Sequence, residues 1–196
     1  MTRECKIGLF LALLVGAGAA GYSLLPHQPS YAGRTLSAWL ADLDLERPGP
    51  QEQAAAAVRV IGTNGLPWLR RMLRSEGPLW ERLIVAFNAS QSLVQFPITP
   101  DNLSRNRAVR AYHILANDAA GDVPRLVQLL KTERSPRVRS YVALALGNIG
   151  PAARAALPAL RQATTDPNAD VRRNAFWALA NLQMWAPDEL PAQPFR

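Results

Sequence analysis

From residue 34 onward, apolar and small residues recur three and four positions apart in short runs, each closed by a glycine, a proline or a brief polar stretch. That is the period of helices burying one face. Slid against itself, the chain shows these runs to be copies of one another. VRSYVALALGNIG from Val138 and VRRNAFWALANLQ from Val171 share Val-Arg and a later Ala-Leu-x-Asn followed by Ile or Leu, 33 residues apart. A third copy, NRAVRAYHILAND, begins 32 residues earlier at Asn106 and places Arg107, Ala111, Ile114 and Leu115 at equivalent positions. A more worn fourth copy, QAAAAVRVIG, keeps Ala54, Ala55, Ala57, Val58, Ile61 and Gly62. The alanines predict that neighbouring helices approach closely.

Each copy is followed by a second helical run: GLPWLRRML at 65–73, DVPRLVQLL at 122–130 and ALPALRQA at 156–163, with proline recurring at 67, 124 and 158. A first-turn proline costs little, because the donor it lacks has no intrahelical partner there. Ser135-Pro136 and Asp166-Pro167 predict capped helix starts, and Gly150-Pro151 predicts a stop followed at once by a start. Thr35 to Leu43 predicts a capping helix, and Pro78 to Phe96 a further amphipathic helix, bringing the count to four or five hairpins. The fold class is therefore all-α, a solenoid of stacked helical hairpins.

The pattern V-R-x-x-A-x-x-A-L-G-x-I-G followed by a leucine-proline second helix resembles the short HEAT-like repeats first associated with phycobilisome lyases and found in many HEAT repeat domain-containing proteins. The resemblance covers about residues 50–183 and is strongest from 104. It implies a right-handed α-α superhelix that binds other macromolecules along a concave surface, without implying a particular partner. The opening Tyr31-Ala32-Gly33-Arg34-Thr35-Leu36-Ser37-x-Trp39-Leu40 is similar to the start of bacterial exported proteins that carry such repeats behind an anchor. Departures gather in the first half: Asn106 stands where valine is usual, the 50–62 copy lacks Val-Arg, and 78–96 fits the pattern poorly.

Ahead of the repeats, Arg3 and Lys6 precede 19 uncharged, mainly apolar residues, Ile7 to Leu25, ending at Pro26. This run is long enough to cross a bilayer. It also reads as a secretory signal, with Ala17-Gly18-Ala19 fitting small-x-small cleavage. Its continuation through Tyr22, Leu24 and Leu25 favours a retained single-pass anchor over a cleaved, secreted or periplasmic form. In both cases the repeats lie outside the cytoplasm by the positive-inside rule. The boundaries are then 1–25 for the signal or transmembrane helix, 26–33 for a linker, 34–183 for the repeats and 184–196 for a proline-rich tail. Cys5, the one cysteine, precedes the apolar run and is no lipobox cysteine.

Composition adds one question. Hydrophobic residues make up 48% and charged residues 19%, as in a globular chain, but the net charge is +7 and all 22 basic residues except Lys6 and Lys131 are arginine. The arginines are scattered along the sequence, which favours solvated helix faces over a nucleic-acid stripe. Arg107, Arg139 and Arg172 share one repeat position and should stack in a row; pairing with carboxylates, such as Asp170 beside Arg172, is favoured over binding an acidic partner. Trp177 and Trp185, with Phe176, Trp68 and Trp80, are candidate partner anchors, against a stronger expectation of core filling at the solenoid end.

Catalytic chemistry finds little. His27 and His113 are the only imidazoles, and His113 falls at an outward-facing offset. No nucleophile elbow, phosphate loop or metal-ligand spacing occurs, and Asp42, Asp44 and Glu46 are spaced to point apart. No catalytic, cofactor or metal residue is assigned, and no small-molecule substrate is evident. The sequence thus predicts a non-enzymatic protein-binding scaffold, exported or membrane-anchored. A lyase-like protein handling a prosthetic group, or an enzyme subunit, is the first alternative. A nucleic-acid-binding repeat protein, encouraged by a pI of about 10.5 but disfavoured by export, is the second.

Overall fold

Proline, glycine and short polar caps set the elements. The computed structural model describes residues 28–45, 47–75 and 102–184. The expected anchor over 7–25, His27, Glu46, the helix over 78–96 with Trp80, and the tail beyond Met184 with Trp185 lie outside the described residues.

The chain enters on a short ribbon, β1 (Ser30–Tyr31) and β2 (Arg34–Thr35), paired antiparallel. Its two-residue turn holds Ala32 and Gly33 at φ of 48° and 73°, the left-handed values a tight hairpin loop requires. This small ribbon sits beside the first helix in an otherwise helical structure, with the Leu36 amide donating to the Pro29 carbonyl at 2.9 Å. That helix, α1 (Leu36–Asp42), is capped by Thr35, whose hydroxyl accepts from the Ala38 amide. Trp39 donates from its indole to the Tyr31 carbonyl at 3.1 Å, and the Arg34 guanidinium lies 4.0 Å over its ring. The opening motif is thus one built unit that closes the end of the stack.

Hairpins follow: α2 (Pro48–Ile61) with α3 (Leu66–Arg74), α4 (Asn102–Leu115) with α5 (Val123–Thr132), and α6 (Pro136–Ile149) with α7 (Leu157–Ala163), then α8 (Ala169–Met184). Each second helix has proline in its first turn at 67, 124 or 158, as the repeat pattern predicts. Short 3₁₀ turns join each pair, and α2, α4 and α6 are each followed by a residue with positive φ: Gly62 at 55°, Ala116 at 44° and Gly150 at 76°. Glycine takes this conformation freely; Ala116 does so at a cost of about 1–2 kcal/mol.

Two caps differ from the sequence expectation. Ser135 sits at the N-cap of α6 but makes no side-chain bond there. Before α8 the capping oxygen belongs to Asn168, which accepts from the amides of Asp170 at 3.0 Å and Val171 at 3.2 Å. Asp166 is thereby released for another task.

The first helices α4, α6 and α8 pack side by side, and each second helix packs against the first helix that follows it. The hairpin of α2 and α3 packs directly on α4. Among the described residues the stack is three hairpins and a final helix under a capping helix; the helix over 78–96 that the expected count of four to five includes lies outside them. Alanines fill the helix interfaces, with Ala54, Ala57, Ala108, Ala111, Ala143 and Ala178 buried. The closest approach is at Gly147: a Cβ there would stand 2.8 Å from the Ala178 Cα. Among the described residues no helix is long and apolar enough to cross a membrane.

Candidate partner-binding groove

The row of Arg107, Arg139 and Arg172 resolves into three different pairings. Arg139 forks both oxygens of Asp166 at 2.8 and 2.9 Å and also donates to the carbonyls of Glu133 and Arg134. It thereby satisfies the C-terminal end of α5 and ties it to the turn before α8. The guanidinium holds the Asp166 carboxyl below the usual aspartate range, first through the hydrogen bond, against a smaller opposing effect of burial. Arg172 donates to the carbonyls of Asp166 and Pro167, both at 2.9 Å, while Asp170 pairs with Arg173. Asp170 is therefore not the partner of Arg172.

In the earlier layer the job of binding carbonyls passes to Arg105, two residues from the expected position. Arg105 is buried, donates to the Leu73 and Ser75 carbonyls at the end of α3, and lies 5.9 Å from the Tyr141 ring centroid. Arg107 instead pairs with Asp44 at 2.6 Å, joining α4 to the segment after α1, and Arg110 reaches the same carboxylate at 3.4 Å. Asp44 is thus an interlayer anchor, where the sequence suggests only a solvated acid.

The most enclosed of these charges is Asp122, completely buried at the end of the turn before α5. It accepts from the Tyr112 hydroxyl at 2.7 Å and from Arg70, a residue of the preceding hairpin. Burial, reinforced by the Asp122 charge, pushes the Tyr112 hydroxyl far above its ordinary pKa, so it remains a donor at any ordinary pH. A buried carboxylate is tolerated only when its lone pairs are bonded, and here two layers must meet to bond them.

Arg70 also borders a groove of about 1030 Å³ between α3 and α5. Whereas α5 packs on α7, no comparable packing joins α3 to α5; the gap is bridged by Arg70 with Asp122 and by Arg74 with Glu133 at 3.0 Å. Five arginines line it, 70, 71, 74, 125 and 134, against one lining carboxylate, Glu133. Arg125 is 66% exposed and comes no nearer to Asp122 than 4.0 Å. Arg71 stacks over Trp68, 5.2 Å from the ring centroid, and Gln128 and Thr132 add neutral polar groups to the α5 wall.

The sequence reading sees scattered arginines because these come from two hairpins, 50 residues and more apart in the chain. The visible signal is local: Arg70, Arg71 and Arg74 crowd the end of one second helix, where positions four apart share a face. The aromatic candidates among the described residues do not converge on the groove. Trp68 is half-buried with its indole donating to Ser37 at 3.3 Å, and Trp177 stands on α8, 39% exposed, with its ring edge against Gly147. His113 is exposed and borders a separate hollow of about 340 Å³ with Leu43, Pro48 and Ile114. Among the described residues no three histidine, cysteine or acidic side chains gather as metal ligands would.

Comparison with known proteins bears on these hairpins. Residues 123–192 match the family model of HEAT repeats. The match begins at α5 and runs through α6, α7 and α8, where the repeat pattern is most regular. No curated protein and no solved structure gives a significant match. Proteins built on HEAT repeats commonly serve as protein-interaction scaffolds.

Proposed function

We propose that this protein is a non-enzymatic scaffold that holds a protein partner against the face formed by its second helices, and that residues 7–25 anchor it in a membrane with the repeats outside the cytoplasm. The observation that carries the reading is the groove between α3 and α5: a wide, arginine-lined opening crossed by two interlayer ion pairs. A stack cross-tied in this way presents its surface with little ordering cost on binding, which favours affinity. Repeat proteins use such extended faces for recognition, by shape and spacing.

The chain itself offers a selective test. Lys131, exposed on α5, and Lys6 are its only lysines. An amine-reactive cross-linker applied to cells making the full chain should join one recurring protein to Lys131, and N-terminal analysis of the product should find the leader intact. Absence of any protein attached to Lys131 would contradict the scaffold, and a mature terminus within residues 18–27 would contradict the anchor.

A further inference from the structure

The groove between α3 and α5 carries more than a general docking role. We infer that its occupant is an acidic segment of a partner polypeptide, laid along the groove with its carboxylates on Arg71, Arg74, Arg125 and Arg134. The inference rests on the scaffold reading above and specifies the chemistry of the partner.

Four observations carry it. First, the charge is one-sided: five guanidiniums line the groove against Glu133, and no lysine lies among them. Guanidinium is a planar fork matched to carboxylate and phosphate, and it is more weakly hydrated than ammonium, so it forms bidentate pairs readily. Second, the fold already seats carboxylates on these same arginines. Glu133 meets Arg74 at 3.0 Å and Asp122 meets Arg70, so a carboxylate at the groove wall has a geometry the structure itself demonstrates.

Third, Arg71 and Arg134 have no close carboxylate among the described residues, and Arg125 meets only Asp122, at 4.0 Å and with its side chain 66% exposed, so each can turn to an incoming charge. Fourth, the walls suit a peptide. Gln128 and Thr132 can bond a peptide backbone, while Pro67 and Leu129 give apolar contact between the charges. A volume of about 1030 Å³ lies just above the range of single small-molecule sites, roughly 300 to 1,000 Å³, and is generous for an isolated phosphate. A nucleic-acid duplex is too wide to enter between two helices, and among the described residues the nearby aromatic surface, Trp68, already carries Arg71 over its ring.

The test uses the full chain in a neutral detergent and fluorescence anisotropy with a labelled peptide alternating glutamate and glycine. The peptide should bind, and binding should weaken steeply as salt is raised, as for exposed charges. Arg125→Glu/Arg134→Glu should weaken it by at least roughly tenfold, because like charge then faces the ligand. Arg47→Glu/Arg59→Glu, which makes the same change in net charge on exposed residues of the α2 side, should change it less than about twofold.

Equal losses in the two double variants would overturn the inference, reducing it to net charge. So would tighter binding of a single-stranded DNA of equal charge, or of vesicles containing phosphatidylserine. Thermal unfolding of each variant separates lost binding from lost folding, and Arg125→Gln/Arg134→Gln gives a milder second variant that should bind with an intermediate affinity. If the peptide fails to bind while a protein still cross-links to Lys131 in the charge-reversed chain, the acidic partner is wrong and the scaffold stands. If both fail, the scaffold itself is wrong.

Discussion

At the residue scale, the informative charges are those whose partners lie in another layer. Asp122 is bonded only when Arg70 of the previous hairpin and Tyr112 of its own hairpin are both in place. Asp122→Ala should lower stability by about 3–5 kcal/mol, since it strands a partly buried guanidinium, and Tyr112→Phe by about 1–3 kcal/mol. Urea unfolding checks both, and a loss under about 0.5 kcal/mol in each, the range of ordinary surface changes, would show the network to be idle. Asp166 gives a pH signature. Its carboxyl is held below the ordinary aspartate value of 3.8, so its contribution is full above that value and is lost as pH falls from there through the depressed folded value. Wild type should therefore lose stability in this acid range more steeply than Asp166→Asn, as measured by urea midpoints at a series of pH values. None of these pairs could be read from the sequence. The equivalence of Arg107, Arg139 and Arg172 is visible in the repeat, but which oxygen each reaches depends on turns that the repeat does not share.

At the scale of the elements, much was legible because helix period and proline are local signals. The second helices start within a residue or two of the sequence expectation, and the first helices begin two to five residues earlier than the quoted motifs. The early starts arise because Asn102, Pro136 and Ala169 begin helices before the first buried position of each copy. The crowding expected from alanine is most severe between α6 and α8. Gly147→Ala should destabilise the protein by about 1–3 kcal/mol, because the added methyl meets the Ala178 backbone and one helix must shift. Hydrogen exchange should show the loss concentrated in α8. Protection in α8 equal to wild type would mean that the helices are not packed this closely.

At the scale of the molecule, the groove is where sequence reasoning stopped. Repeats announce that hairpins stack, but the gap between α3 and α5 depends on how each rests on its neighbours and on two ion pairs between residues 52 and 59 positions apart. Such separation hides a cluster from any reading of charge along the chain. The central claim, that this open face holds a protein, is most directly tested by placing a photo-cross-linking residue at Gln128, on the groove wall, and in a parallel chain at Arg59 on the opposite helix of the first hairpin. In cells making the full chain, irradiation should yield a discrete protein adduct from position 128 and none from position 59. Equal adducts from both, or none from position 128, would contradict the account.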